Sequence, residues 1–291
     1  MRWKMQFLVI GCTGMAGHVI SLYLKEKGHG VTGISRRPQS LTDGVTGDLT
    51  EPGFVREIVA SRHFDTIINC AGILNREAET DRGQAVWMNS WLPHFLAEIT
   101  AGTDTKVIHL STDCVFSGSR GQYAESDLPD GQSFYARSKA LGEICDEKNI
   151  TIRTSFVGPD LDPAGIGLLN WFLLRNGETE GYTRAIWTGL TSLQLARVVE
   201  RLACTDAAGI IHAVPGQTIS KYGLLCLFNA QLRREPVEIC PVDQMASDKS
   251  LLCTRTDVHL DIPGYSEMIR ELAVWMREHR SLYPHYALRG D

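Results

Sequence analysis

The feature that most constrains this chain is the alternation of short apolar runs with amphipathic segments through its first half. "MQFLVIG" is followed by helical periodicity from about Met15 to Lys27, then by "GVTGIS", "GFVREIVASR" and "DTIINCAG". A helix around Trp87 to Ile99, the run "KVIHLS", a helix through Ser138 to Asp146 and the strand "ITIRTSFVG" continue the series. Strands separated by helices lie parallel, with each helix crossing one face of the sheet. The expectation is an α/β fold built on a doubly wound parallel sheet. Beyond Pro159 the alternation loosens. "GLLNWFLLRNG" and "SLQLARVVERLA" read as helices, and "YSEMIRELAVWMREH" carries Met268, Ile269, Leu272, Trp275, Met276 and His279 on one face, a stripe that reads as core packing. "GIIHAV", near 209–214, reads as a strand returning to the main sheet. Residues 1–158 are therefore expected to form the parallel core, and 159–291 a second, smaller region.

Composition removes several classes. The 291 residues are 43% hydrophobic and 22% charged, an ordinary globular balance. A net charge of −5 without any Lys/Arg run gives no general attraction to nucleic acid or to anionic membranes, so neither partner is expected. No stretch approaches the roughly 18 apolar residues of a membrane span, so no insertion is expected. The opening "MRWKMQFLVIGCTGMAG" places basic residues before an apolar run, but "FLVIG" is shorter than the roughly 7 to 15 residues of a secretory core and reads as a strand. The eight cysteines form no CxxC pair and no cluster with histidine, which indicates reduced thiols, no metal site and a cytoplasmic protein.

"VIGCTGMAGHVI" sets Gly11, Gly14 and Gly17 between a strand and a helix. Glycine lets the backbone turn tightly and approach a pyrophosphate, whose charge then sits at the helix N-terminus. Thr13 and Met15 share that turn. The spacing is GxxGxxG where the commoner fingerprint is GxGxxG, so the strand and helix around it carry much of the inference. About 20 residues on, where an NAD enzyme commonly has an acid for the ribose, the chain has "SRRPQS". Arg36 or Arg37 there would fork around a 2′-phosphate, which favours NADPH over a still usable NADH. Asp48 and Leu49 close the next strand-like stretch, Asp48 facing the adenine amino group, and Cys70, Ala71 and Gly72 of "NCAG" line the cofactor beyond it.

"HLSTDCVFSG" runs a strand into small polar residues, and "FYARSKALGE" follows with Tyr135 and Lys139 four apart, one helical turn. A lysine cation beside a phenol lowers its proton affinity, and the same lysine can bond a nicotinamide ribose. Thr112, 23 residues before the tyrosine, is placed to hold a substrate carbonyl oxygen against it, at the sheet edge where such folds bind ligands.

These motifs resemble the extended short-chain dehydrogenase/reductase superfamily, with its Rossmann core. "STDCVFSG", "YARSKALGE" and "IRTSFVG" most resemble the dTDP-4-dehydrorhamnose reductase family of nucleotide-sugar ketoreductases. The resemblance implies Thr112, Tyr135 and Lys139 as the catalytic set, and Asn89 as the helix asparagine that supports the lysine. It also implies a nucleotide-sugar pocket reached by Asp113, Cys114, Phe116, Arg184 and Trp187, NADP as cofactor, and leaves room for a homodimer. Two segments depart from the family: "ILNREAETDRG" after the third cofactor strand, and "IWTGLTS", both facing the sugar in the family, so the sugar is left open between a dTDP-linked 4-keto-6-deoxyhexose and a UDP-linked N-acetylated one for surface polysaccharide. Cys114 stands where the related dehydratases carry a glutamate, which argues against water elimination. A nucleotide-sugar epimerase remains an alternative, as does a non-catalytic NADP-binding regulatory subunit. His109 reads as a hydrogen-bonded core residue; Trp171 and Trp187 read equally as ring-stacking or core; Arg153 and Arg184 read as diphosphate or structural cations.

Overall fold

A computed structural model describes residues 4–290; Met1, Arg2 and Trp3 of the basic opening, and Asp291, lie outside the described residues. Seven strands form one parallel sheet: β1 (Gln6–Ile10), β2 (Gly30–Ser35), β3 (Asp43–Thr46), β4 (Thr66–Asn69), β5 (Lys106–Leu110), β6 (Ile150–Arg153) and β7 (Gly209–His212). Their spatial order is β7-β6-β5-β4-β1-β2-β3. The chain starts in the middle, winds outward through β2 and β3, and returns to wind the other way, so a crevice opens at the C-terminal ends of β1 and β4 where the direction reverses.

Side chains alternate across the sheet, and both faces are covered. Phe7 and Val9 of β1 pack with Ile68, Ile108, Ile152 and Ile211 into one core, while Leu8 and Ile10 pack with Ile34, Ile67 and Val107 into the other. This is why the strands read as unbroken apolar runs. The first core is closed by α1 (Met15–Glu26), α5 (Ser192–Ala203) and α7 (Tyr265–Glu278), numbered in chain order; the second by α2 (Pro52–Ser61) and α3 (82–99). The stripe on α7 buries Met268, Ile269, Leu272, Trp275 and Met276.

Two helices differ from their sequence-predicted bounds. The helix expected over Trp87 to Ile99 begins earlier: α3 runs unbroken through Arg82–Ala85, a π-helical Val86–Trp91 and Leu92–Ile99. The helix expected through Ser138 to Asp146 is α4 (Phe134–Leu141), capped by Ser133, whose hydroxyl accepts from the Ala136 amide. It stops at Gly142 for a steric reason: a Cβ there would lie 1.8 Å from the backbone oxygen of Asn89 on α3. Beyond Gly158 lie α5, α6 (Lys221–Gln231), α7 and short strand pairs, including Ala185–Trp187, that sit over the strand ends. Among the described residues no helix is long and apolar enough to cross a membrane.

Candidate active site

Gly11 leaves β1 with φ +78°, and a Cβ there would meet the Ala71 backbone at 3.1 Å. At Gly17 a Cβ would come within 2.1 Å of the Gly11 carbonyl oxygen, so only glycine lets α1 start this close to the turn. The first residue ahead of α1, Gly14, offers no side-chain cap, which leaves the first amides of the helix directed at whatever sits on the turn. Beside it lies a cavity of about 310 Å³. Of the residues expected at a cofactor, Gly11, Thr13, Gly14, Arg36, Asp48, Leu49, Cys70, Ala71 and Gly72 line it. Gly17 shapes the turn from behind; Met15 and the exposed Arg37 are not in its wall. Bonds from Thr50, joined by the Arg36 charge, hold Asp48 below the usual carboxylate range. Sequence reasoning missed Gln84 and Met88, which reach the cavity from α3. The cradle, too tight for a side chain at Gly17 and facing the uncapped first turn of α1, fits a dinucleotide.

Thr112 lies at the end of β5 and Tyr135 on α4, both buried and in hydrogen-bonding contact. The threonine hydroxyl also accepts from the Cys114 amide at 3.1 Å. Burial first, then the nearby Cys114, push the phenol above its ordinary value, the Thr112 bond pulling the other way. This corrects the sequence expectation that the lysine lowers it. Lys139 shares the helix face but turns its ammonium to the sheet, donating to the Leu110 carbonyl at 2.7 Å and meeting His109 Nε2 at 3.1 Å. Burial brings Lys139 down to about 8. Asn89 also differs from expectation: its side chain bonds the Ser138 hydroxyl at 3.0 Å and both backbone groups of Ile73, and it reaches the neighbour of Lys139, not the lysine.

In front of this set a second cavity, about 1030 Å³, spreads under the C-terminal region. Asp113, Cys114, Trp171 and Trp187 line it, as does Asn75 of the divergent "ILNREAETDRG" segment. Three expected substrate residues do not, Thr112 of the buried hydroxyl pair among them. Phe116 is fully buried and stacks on Tyr123 at 4.2 Å, because the chain turns it away from the strand end into a small core. Arg184 is exposed outside the wall, one residue before the strand Ala185–Trp187 whose three residues all line it. Arg153 is structural: it forms a buried bidentate pair with Glu143, at 2.8 and 2.7 Å. The cations that do line the cavity are Arg175, Lys221 and Lys249. Lys221 lies over the Trp187 ring at 4.8 Å and faces Asp113, whose carboxyl is raised by burial and drawn back by Lys221 and Lys249. One sequence signal pointed to it: a lysine in the first turn of a helix opposes the helix dipole and asks for another reason to be there. Among the described residues no group of three or more His, Cys, Asp or Glu is placed to hold a metal.

The strand order and the flanking helices are those of a Rossmann-like fold built on a parallel seven-stranded sheet. More narrowly, the chain belongs to the family described as the RmlD substrate binding domain, which matches residues 5–162. It is 27% identical over 251 residues to a dTDP-4-keto-6-deoxy-D-glucose reductase of Streptomyces niveus, covering 83% of this chain and 82% of that one. A dTDP-4-dehydrorhamnose reductase of Streptomyces griseus is 29% identical over 227 residues, 73% and 70% of the two chains. Among solved structures, the dTDP-4-dehydrorhamnose reductase of Bacillus anthracis, in complex with NADP, superposes with a TM-score of 0.78 over 94% of this chain and 100% of its own, at 20% identity.

Proposed function

We propose that the protein is an NADPH-dependent reductase of the C4 carbonyl of a nucleotide-linked 4-keto-6-deoxyhexose. The observation that carries this reading is the contact of the Thr112 and Tyr135 hydroxyls, with Asp113 and Cys114, next to Thr112 in the chain, in the wall of the larger cavity. The reductase names of its relatives support it. Thr13, Gly14 and the α1 amides would hold the pyrophosphate of NADPH, Arg36 its 2′-phosphate and Lys139 its nicotinamide ribose. Bound there, the cofactor supplies hydride to the carbonyl carbon.

Thr112 and Tyr135 bind and orient the carbonyl oxygen, and Tyr135 gives it a proton as charge develops there. A phenol raised by burial remains protonated at neutral pH, the state a proton donor needs. Cys114, whose thiol burial pushes up to about 11, is no substitute for the acid that elimination of water requires. Asp113, Lys221 and Trp187 would set the sugar's orientation. A dTDP-linked sugar is the first choice from the relatives' names; a UDP-linked N-acetylated sugar for surface polysaccharide is the finer alternative, motivated by Asn75 and the rest of the divergent segment. Residues 1–158 would then serve the cofactor and 159–291 mainly the sugar.

Tyr135→Phe keeps the ring and removes only the donor. Purified protein assayed with NADPH on dTDP- and UDP-linked 4-keto-6-deoxy sugars should lose about 10²- to 10⁴-fold in kcat on this change, with NADPH affinity preserved. An active variant overturns the assignment. A wild-type protein that binds NADPH and reduces none of the sugars points instead to the regulatory class.

A further inference from the structure

His109 is fully buried in β5, with a partner on each ring nitrogen. Asn69 Nδ2 faces Nδ1 at 3.1 Å, and Lys139 Nζ faces Nε2 at 3.1 Å. The orientation of the Asn69 amide is set independently, because its Oδ1 accepts from the backbone amide of Ala71 at 3.2 Å. Ala71 belongs to the wall of the cofactor cavity.

Counting protons along this line leaves few arrangements. With Asn69 held by Ala71, Nδ2 donates to Nδ1, so the single proton of a neutral imidazole is on Nε2 and donates to the lone pair of an uncharged Lys139. When Lys139 takes up a proton it becomes a donor only, and Nε2 must accept. The ring proton then moves to Nδ1 and meets Asn69 Nδ2, donor against donor, until the amide turns over and gives up the Ala71 bond. We propose that His109 and Asn69 are positioning residues that tie the proton on Lys139 to the backbone amide of Ala71 in the cofactor wall. The lysine's role at the ribose is taken from the function proposed above, on which this inference rests.

The other groups facing the pair are few. Cys70 at the end of β4 and Glu143 beyond α4 favour the charged lysine, Glu143 being itself engaged by Arg153. His94 on α3 and Lys139 act with burial to keep the His109 ring neutral. None of them supplies a second route from Lys139 to Ala71.

Replacing the amide by a carboxylate separates this relay from simple packing. In Asn69→Asp both oxygens accept, so Nδ1–H and the Ala71 amide are satisfied together and the charged lysine loses nothing. Wild-type affinity for NADPH, followed by its fluorescence, should weaken as pH rises through about 8, where Lys139 loses its proton. In Asn69→Asp that loss should move up by about one to two pH units, the worth of a charge-assisted bond. Adding His109→Leu should remove most of the shift. Histidine ring ¹⁵N NMR of the unsubstituted protein gives a second readout: His109 should change from the Nδ1–H to the Nε2–H tautomer at the same pH. One unchanged tautomer across that range, or an equal shift without His109, overturns the relay. Neither measurement uses a sugar. A relay that behaves as expected in a protein that reduces no keto-sugar sinks only the proposed reaction, and sugar reduction with an unchanging tautomer sinks only the relay.

Discussion

His18 on α1 makes two hydrogen bonds of defined sense, donating from Nδ1 to the Gly14 carbonyl at 2.9 Å and accepting at Nε2 from the Tyr283 hydroxyl at 2.7 Å. Accepting at Nε2 needs the neutral ring, and burial lowers its affinity for a proton to about 4, against an ordinary value of 6.5. Since the unfolded chain binds the proton more tightly, stability is full above pH 6.5 and is lost as pH falls from there to about 4. The loss expected from this residue is on the order of 3 kcal/mol. Urea unfolding across that range, compared with His18→Gln, tests it; parallel pH profiles for the two proteins would rule it out. At the same scale, the sequence set Thr112 against Tyr135 because the strand end, the Tyr/Lys spacing and the glycine turn coincide, and the structure brings the two hydroxyls into contact. Sequence reasoning misjudged the lysine's direction. Spacing of four places two side chains on one face of a helix but says nothing of the buried carbonyl and imidazole that turn one of them toward the sheet.

The two helices beside the site are held by close backbone contact together with hydrogen bonds from Asn89 and Ser90 to Ser138 and from His94 to the Leu141 carbonyl. α3 and α4 cross where Asn89 and Gly142 touch, and the π turn over Val86–Trp91 is what swings the Asn89 side chain toward Ile73 and Ser138. Gly142→Ala would force these helices apart. We expect a loss of about 1–3 kcal/mol in stability, the usual cost of overpacking, together with lower turnover as α4 and Tyr135 shift. Thermal unfolding and kcat should fall together, and a variant equal to wild type in both would show that the crossing carries no tension. The extra turn was not legible in the sequence. A π turn has the composition of an α-helix, and its cause is the register needed by a neighbouring helix.

On the scale of the whole molecule, residues far apart in the chain build two cavities: Gly11 and Ala71 from the ends of the sheet line one, and Asn75, Asp113 and Lys221, the last from the start of α6, line the other. Lys221 reaches Asp113 across the boundary between the parallel core and the covering region. Lys221→Met keeps most of the stem and removes the charge. It should lower kcat/KM for the nucleotide sugar at least about tenfold while leaving NADPH affinity unchanged, because it faces only the larger cavity. Steady-state kinetics and a binding titration distinguish that outcome from a general loss of structure, in which both would decline.

The order of strands and helices, the glycine turn and the hydroxyl set were determined by the sequence alone. Each rests on short-range physics: a strand buried on both faces must be apolar throughout, a tight turn needs glycine, and one helical turn spans four residues. Which cation faces the substrate was decided only by the tertiary structure. Arg184 and Lys221 are equally charged in the sequence, but the fold leaves the arginine exposed just ahead of the strand Ala185–Trp187, while the packing of α6 sets the lysine beside Asp113. Phe116 follows the same logic, since its place in a core depends on Tyr123 and Leu251, and Leu251 arrives from 135 residues away in the chain.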